Sequence, residues 1–311
     1  MRGAIAHLAG TLLSLVVFSS AWAQTPPTGR LPEGISPPQA APYIGPRVVG
    51  GAPSDDRKIV GIAFTQDGEE RVCSGLYISA HRILTAAHCT CNASNFRVSN
   101  NAFIAFPFQR AEFVSRFGDY QCDDRYLPRG DDLALLAIYT SLPATEKKFT
   151  CHKYSLLPAI RTEPYLFPTP PKYVSVAGYG YSGPTANEIG HRQEAIVSLD
   201  SINCGPRAMR QLGCKPFAEF IAGGTPVGGA PRDTCGGDSG GPAFFRVKGE
   251  IVPFGIVSRA LPLRHFFQAR ACGSGGIYTH LGRRDVLAWL RAHGVGDGGG
   301  DPLCRGSVAT R

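Results

Sequence analysis

Short apolar runs separated by turn residues recur along most of the chain, and this texture restricts the fold more than any other feature. The clearest runs have the length of strands and are bounded by Gly, Pro or Asn. They are 59–64, 76–78, 173–177, 195–199, 251–257 and 277–281. One amphipathic helical pattern spans 284–293. Because the strands do not alternate with helices, the sequence predicts an all-β fold, either one antiparallel domain or a pair of barrels, with a C-terminal helix.

Composition excludes several classes of protein. Of the 311 residues, 43% are hydrophobic and 18% are charged, so the chain can bury a substantial core and is not of the disordered class. The formal net charge of +8 is mild, and no stripe of Lys and Arg alternates with aromatic residues. We therefore expect no nucleic-acid partner.

Residues 1–23 have the pattern of an export signal. Arg2 precedes an apolar stretch at 8–18, and Ala21-Trp22-Ala23 offers the small residues that a signal peptidase accepts. The apolar stretch is short for a membrane span, so we expect no membrane anchor. The prediction is a secreted protein, extracellular or, in a bacterium, periplasmic; the alternative is an uncleaved anchor helix.

The ten cysteines all lie downstream of residue 47. An even number in an oxidising compartment predicts disulfides. The alternative, a metal site, needs close pairs, and the close pair Cys89 and Cys91 has a spacing that suits zinc poorly. The aspartates Asp119, Asp123 and Asp124 are read as a solvated loop rather than as calcium ligands. We therefore expect no metal and no cofactor.

A Pro-rich segment separates the export signal from the β-rich region. Residues 24–47 contain seven prolines in 24 positions, which favours extended conformations. The segment ends at Arg47-Val48-Val49-Gly50-Gly51. The predicted organisation is a signal peptide at 1–23, a pro-segment at 24–47, a folded domain at 48–293 and a Gly-rich tail at 294–311.

Three motifs contain a histidine, an acid and a serine. In Leu84-Thr85-Ala86-Ala87-His88-Cys89, a strand-like run delivers His88. Asp132 directly precedes an apolar run, where a carboxylate needs hydrogen-bond donors such as an imidazole N–H. Ser239 lies in Gly236-Gly237-Asp238-Ser239-Gly240-Gly241, where glycines let backbone N–H groups point at a substrate oxygen. Taken singly, each has a plainer interpretation: a structural histidine, a turn aspartate and a flexible loop.

In the order His88, Asp132, Ser239, these motifs resemble the trypsin/chymotrypsin family of serine peptidases. The resemblance runs from 48 to about 293. It implies two packed six-stranded antiparallel β-barrels with a C-terminal helix, and a monomer that cleaves protein or peptide substrates and meets protein inhibitors. Ser239 would be the nucleophile, His88 the general base and Asp132 its orienting acid, with the N–H groups of Gly237 and Ser239 as the oxyanion hole.

The resemblance also implies activation of a zymogen. Cleavage after Arg47 would free the amino group of Val48. In the family this ammonium pairs with the acid that precedes the nucleophile, here Asp238. Such a buried pair would order the oxyanion hole.

The primary specificity pocket is assigned from the same resemblance. Asp233 matches the floor of the pocket in trypsin-like members, which implies cleavage after Lys or Arg, and Gly276 matches the glycine that leaves the wall open. The substrate-binding strand departs from the family's Ser-Trp-Gly, because it reads Ser258-Arg259-Ala260. We expect Ala260 to narrow the entrance and Arg259 to favour acidic substrate residues beyond the primary site.

The disulfide assignment follows the family where it can. Two pairs match family bridges, a third is local, and the remaining four cysteines are paired with one another. The assigned pairs are Cys73–Cys89, Cys235–Cys272, Cys204–Cys214, Cys91–Cys122 and Cys151–Cys304.

Two other functions stay open. A non-catalytic binding module on the same fold would keep the barrels without the chemistry. An α/β-hydrolase esterase would also satisfy G-x-S-x-G around Ser239, but it needs strand–helix alternation and an Asp followed by a His. After the serine, Asp285 and His293 are the candidates for those positions.

Overall fold

Two antiparallel β-sheets, each closed into a barrel, form the part of the chain that the computed structural model describes. That part comprises residues 29–30, 48–79, 81–104, 108–123, 128–138, 171–181, 189–228, 232–247, 249–261 and 272–295. The predicted all-β fold of two six-stranded barrels with a C-terminal helix is confirmed.

Fourteen strands and two α-helices occur in the described residues. The strands are β1 (Gly29–Arg30), β2 (Ala52–Pro53), β3 (Ile59–Gln66), β4 (Glu69–Ser79), β5 (Arg82–Thr85), β6 (Ala93–Ser99), β7 (Gln109–Arg116), β8 (Ala134–Ile138), β9 (Tyr173–Gly178), β10 (Gln193–Ser201), β11 (Glu219–Ala222), β12 (Pro242–Val247), β13 (Glu250–Ala260) and β14 (Gly276–His280). The helices are α1 (Pro206–Leu212) and α2 (Arg284–Ala292).

The first barrel has the strand order β4-β3-β6-β7-β8-β5, and pairing of β4 with β5 closes it. The two-residue β1 adds to the outside of β4. Strand β8 is buried along its whole length, because its sequence Ala-Leu-Leu-Ala-Ile is an uninterrupted apolar run. This barrel brings the loop before β8 next to the turn after β5.

The second barrel has the order β11-β14-β13-β12-β9-β10, and β10 closes it by pairing with β11. The two-residue β2 adds to β10. The two barrels share apolar packing: Ile59 and Val72 of the first lie in one buried cluster with Tyr179 and Phe244 of the second. The seam between the barrels is therefore tightly packed.

Helix α2 covers the first barrel. Its apolar stripe, Val286, Leu287 and Leu290, is buried in that barrel's core cluster. Asp285 in the first turn and Arg291 in the last turn match the sign of the helix dipole. The amphipathic pattern predicted at 284–293 thus forms a helix with almost the same bounds.

Helix α1 was not predicted from the sequence. None of its residues is buried, so it has no apolar period to detect. The local signals are Pro206 at the first helical position and Gly213, which has a φ of 67° at the C-terminal end.

The signal peptide, Arg47 and nearly all of the pro-segment and tail lie outside the described residues. In the part that is described, no helix has both the length and the apolar character needed to cross a membrane.

Candidate active site

His88 lies in a short 3-10 turn, Ala87–Thr90, that follows β5 and is buried. A disulfide between Cys73 and Cys89 ties this turn to the neighbouring β4. The disulfide thus fixes the backbone at Cys89, the residue after His88, and this restricts the movement of the imidazole ring.

Asp132 is buried immediately before β8 and faces His88. Its Oδ2 lies 2.9 Å from Nδ1 of His88 and accepts the hydroxyl of Ser258 at 2.6 Å, while Oδ1 accepts the backbone N–H of His88 at 3.0 Å. Burial acts to raise the pKa of Asp132, but the neighbouring His88 and these hydrogen bonds outweigh it and hold the pKa below its usual value. The ionised carboxylate fixes the ring with Nε2 directed away from it.

Ser239 lies in a sharp turn that glycines make feasible. Gly237 has a φ of 93° and Gly240 a φ of 82°, both in the left-handed region. A Cβ at Gly240 would overlap the carbonyl oxygen of Ser74, and one at Gly237 would come 2.8 Å from Cα of Gly180. The nucleophile loop therefore packs directly on the backbone of both barrels.

Two reactive atoms of this site, the Ser239 hydroxyl oxygen and Nε2 of His88, are buried. Within the described residues, neither the Ser239 hydroxyl nor Nε2 of His88 makes a hydrogen bond, although both are buried. Catalytic hydrogen bonds are often long in a substrate-free enzyme. The arrangement offers a nucleophile and a base whose second nitrogen is already oriented by Asp132.

Asp238 is fully buried beside the nucleophile. Its carboxylate accepts the N–H of Gly180 and the N–H of Cys235, each at 2.8 Å. Burial raises the pKa of Asp238 to about 7 in spite of these two bonds. Among the described residues no ion pair forms with Asp238. Val48 is 1% exposed and belongs to the core of the second barrel.

Asp233 is also buried, and the loop at 273–275 wraps around it. Its Oδ2 accepts three backbone N–H groups of that loop at 2.8, 3.1 and 2.9 Å, and Oδ1 accepts the N–H of Thr234 at 2.7 Å. Burial nevertheless raises the pKa of Asp233 to about 7. Gly276 follows this loop and pairs with Ala260 across β13 and β14. The structure thus brings together three of the four residues assigned to substrate binding, namely Asp233, Ala260 and Gly276; the fourth is Ser258.

In the strand that reads Ser258-Arg259-Ala260, the first two side chains make different polar contacts. Ser258 donates to Asp132. Arg259 is 6% exposed, and its guanidinium pairs with the fully buried Glu219. The expectation that Arg259 favours acidic substrate residues is therefore wrong, because its charge is neutralised inside the protein. Glu219 was missed; its signal is an acid that opens the otherwise apolar β11.

The described cysteines form four disulfides, and all four agree with the assignment from the sequence. They are Cys73–Cys89, Cys91–Cys122, Cys204–Cys214 and Cys235–Cys272. Cys151 and Cys304 lie outside the described residues.

Two clusters in the described part of the chain have a metal-ligating composition. They are Cys73, His88 and Cys89, and Cys204, Cys214 and Glu219. In both, the cysteine sulfurs are joined in a disulfide and supply no thiolate. The remaining ligands are His88, paired with Asp132, and Glu219, paired with Arg259. Neither cluster is a convincing metal site.

Comparison with known proteins yields a consistent set of likenesses. The family model described as Trypsin matches residues 48–289. Serine protease 56 of Homo sapiens is 27% identical over 280 residues, which cover 85% of this chain and 41% of that protein. Serine protease SP24D of Anopheles gambiae is 26% identical over 259 residues, covering 80% and 82% of the two chains.

Vitamin K-dependent protein C of Rattus norvegicus is 23% identical over 262 residues, which cover 83% of this chain and 54% of that protein. This chain thus spans about half the length of protein C and of serine protease 56.

Proposed function

The chain belongs to the trypsin family of serine proteases, and from this premise we propose that it is a secreted endopeptidase that hydrolyses protein or peptide substrates through an acyl-enzyme. The observation that carries the proposal is the 2.9 Å contact between Nδ1 of His88 and the buried, ionised Asp132. Within the described part of the chain, Nε2 of His88 and the Ser239 hydroxyl are both buried and make no hydrogen bond, so they are available for the reaction.

In the proposed reaction, Nε2 of His88 takes the proton of the Ser239 hydroxyl as the oxygen attacks the peptide carbonyl. Asp132 holds the tautomer with the proton on Nδ1 and stabilises the imidazolium that forms. The backbone N–H groups of Gly237 and Ser239 bind the oxyanion, each contributing about 3 kcal/mol of barrier lowering. His88 then gives its proton to the leaving amine, and water repeats the sequence to release the acid product.

We propose cleavage after Lys or Arg, with Asp233 as the pocket floor and Gly276 and Ala260 on its walls. A buried carboxylate whose pKa is raised to about 7 gains from a cation that enters beside it. The substrate's ammonium or guanidinium would supply that charge. Ala260 adds a methyl group where the family has glycine, which narrows the entrance.

We also propose that the chain is made as a zymogen. Asp238 is buried with no ion pair among the described residues, and Val48 is buried in the same barrel. Cleavage after Arg47 would turn the Val48 amide into an ammonium that can pair with Asp238. The proposed organisation is a signal peptide at 1–23, a pro-segment at 24–47, a peptidase domain at 48–293 and a tail at 294–311.

The protein's surroundings complete the proposal. We propose an extracellular or periplasmic monomer that meets protein inhibitors and has neither a membrane anchor nor a nucleic-acid partner. The four disulfides support export to an oxidising compartment.

The test is digestion of a peptide library by protein that begins at Val48, beside a Ser239→Ala variant and an unprocessed Arg47→Gln variant. Cleavage after Lys and Arg by the first protein alone supports the peptidase, Asp233 as the pocket floor and the zymogen. Serine-dependent cleavage after other residues retains the peptidase and rejects Asp233 as the floor. Equal activity of the Arg47→Gln protein rejects the zymogen, and no cleavage at all favours a non-catalytic binding module.

A further inference from the structure

A buried ion pair joins two strands of the second barrel close to the catalytic residues. Nη1 of Arg259 lies 2.7 Å from Oε1 of Glu219, and Nη2 lies 2.9 Å from Oε2. The two side chains are 6% and 0% exposed. Taking two charges out of water is costly, so a pair of this kind calls for a role beyond filling space.

The guanidinium reaches the side chain of Asp132 through one hydroxyl. Nη1 of Arg259 lies 3.4 Å from Oγ of Ser258, and that hydroxyl donates to Oδ2 of Asp132 at 2.6 Å. Arg259 donates and cannot accept. It therefore occupies the acceptor side of Ser258 and leaves the hydroxyl proton directed at Asp132.

The carboxylate of the pair reaches the backbone of the same loop. Oε1 of Glu219 accepts the N–H of Gly130 at 3.1 Å, two residues before Asp132. Arg283 donates to the carbonyl oxygen of Gly130 from the other side. Gly130 has a φ of 79°, and a Cβ there would collide with Ala218. Both backbone polar groups of Gly130, the N–H and the C=O, are thus hydrogen-bonded to side chains, which fixes the loop before Asp132.

Two further hydrogen bonds tie the pair to the neighbouring backbone. Oε2 of Glu219 accepts the N–H of Lys215 at 2.7 Å, and Nη2 of Arg259 donates to the carbonyl of Gly213 at 3.0 Å. A buried polar network whose members share many hydrogen bonds is held rigidly. The Glu219–Arg259 pair is therefore held in a fixed position by several hydrogen bonds.

We propose that Glu219 and Arg259 are positioning residues that fix Asp132, and through it His88, from the opposite barrel. Asp132 and His88 come from the first barrel, whereas Glu219, Ser258 and Arg259 come from the second. Arg259 contacts the side chain of Asp132 through the hydroxyl of Ser258, and Glu219 binds the backbone two residues before Asp132, at Gly130. This inference rests on the proposed peptidase function. Displacements of about 1 Å far from the reacting atoms can cost on the order of 100-fold in rate.

The experiment replaces the pair by apolar residues of similar size, Glu219→Leu/Arg259→Met, in protein that begins at Val48. This replacement leaves no unpaired buried charge, but it removes the acceptor of the Gly130 and Lys215 N–H groups, so kinetics are measured well below the melting temperature of the variant. We expect the melting temperature to fall, because these two N–H groups lose their acceptor, kcat to fall at least tenfold and KM to stay within twofold. A folded double variant with kcat within twofold of the parent overturns the proposal.

A matched control removes a second Arg–Glu pair of the same barrel. Arg246 and Glu194 lie 2.6 Å apart on the surface, with 35% and 21% of their side chains exposed. Glu194→Leu/Arg246→Met should leave kcat unchanged. An equal fall in kcat in this control would mean that loss of any ion pair in the barrel suffices, which also overturns the proposal.

A conservative variant covers the case in which the double variant does not fold. Arg259→Lys keeps the charge opposite Glu219, but one ammonium cannot hold both carboxylate oxygens and Ser258 together. We expect kcat at least threefold below the parent with KM unchanged. A kcat equal to that of the parent overturns the proposal.

A spectroscopic readout separates this inference from the proposed function. In a Ser239→Ala background, the proton between Nδ1 of His88 and Asp132 gives a far-downfield NMR resonance. We expect it to shift or broaden in the Glu219→Leu/Arg259→Met protein and to stay in place in the surface control. An unchanged resonance rejects the positioning role. If the parent cleaves no peptide, the peptidase proposal fails. The resonance still tests whether Glu219 and Arg259 position Asp132 and His88.

Discussion

The hydroxyl of Ser74 in the first barrel donates a 2.8 Å hydrogen bond to the carbonyl oxygen of Gly237 in the nucleophile loop. The same hydroxyl oxygen accepts the N–H of Tyr179 at 2.8 Å, and the N–H of Ser74 donates to the carbonyl of Ser239. Ser74 is fully buried. One small residue thus links the first barrel to Gly237 and Ser239, the two residues whose N–H groups are the proposed oxyanion donors.

Ser74→Ala should therefore weaken both the fold and the proposed activity. It leaves the buried N–H of Tyr179 and the carbonyl of Gly237 without this partner, which costs about 1–3 kcal/mol of unfolding free energy. We also expect a lower kcat, because Gly237 is no longer held. Urea unfolding and peptide hydrolysis measure the two effects. The exposed Ser94→Ala control should stay within about 0.5 kcal/mol of the parent; equal curves for both variants would contradict the prediction.

Asp238 should make the unprocessed chain less stable as the pH rises. Its pKa is raised to about 7 from an unfolded value of about 3.8, so the folded protein binds this proton more tightly. The stabilisation is full below about pH 4 and is lost as the pH climbs through about 7. Unfolding free energies of the Arg47→Gln chain between pH 4 and 8 should show this slope. Asp233 contributes a slope of the same sign and, below about pH 6.5, His280 one of the opposite sign. The difference between the parent and Asp238→Asn isolates Asp238, and identical slopes in the two proteins would argue against the prediction.

Asp233 gives the proposed pocket a pH dependence of its own. The probe is p-aminobenzamidine, which stays cationic across the range. Because the pKa of Asp233 is raised to about 7, we expect binding to weaken as the pH falls below 7 and to level off above it. Fluorescence titration of the Ser239→Ala protein from pH 5 to 8 measures this. Asp233→Asn should bind weakly at every pH, and affinity that is constant from pH 5 to 8 would exclude Asp233 as the site of the cation.

The strands could be predicted wherever their apolar content is local. The runs at 59–64 and 251–257 lie inside β3 and β13, and the stripe of α2 was visible as a 3.6-residue period. Helix α1 could not be found in this way, because it buries no residue. Its Pro and Gly signals mark ends rather than a face, so burial patterns do not detect it.

The proposed triad could be named because each member lies in a contiguous motif. The Glu219–Arg259 pair that is proposed to position Asp132 could not be predicted from the sequence. Glu219 and Arg259 are 40 residues apart in the sequence, and only the pairing of β11 and β13 with β14 brings them together. From the sequence alone, the charge of Arg259 was expected to attract acidic residues of the substrate. In the fold, the nearest carboxylate neutralises it, and no local pattern contains that information.

His280 is a buried titratable group that the proposed mechanism does not use. Its ring lies 4.6 Å from that of Phe254, and Nδ1 accepts the N–H of Gly282 at 2.9 Å. Nε2 has no hydrogen-bond partner in the described part of the chain. Burial, with a smaller contribution from the charge of Arg283, lowers the pKa of His280 to about 4.

His280 should therefore destabilise the protein in acid. The unfolded chain binds the proton at about pH 6.5 and the folded chain only at about pH 4. The free energy of unfolding then falls between these values, by about 3 kcal/mol in total, and is unaffected by this group above pH 6.5. His280→Asn keeps an acceptor for Gly282 and does not titrate. The difference between parent and variant, measured by urea unfolding at pH 7 and pH 4, should change by about 3 kcal/mol in favour of the variant. Parallel stability curves would show that the folded protein already accommodates a protonated His280, because only an unequal proton affinity of the two states can produce the divergence.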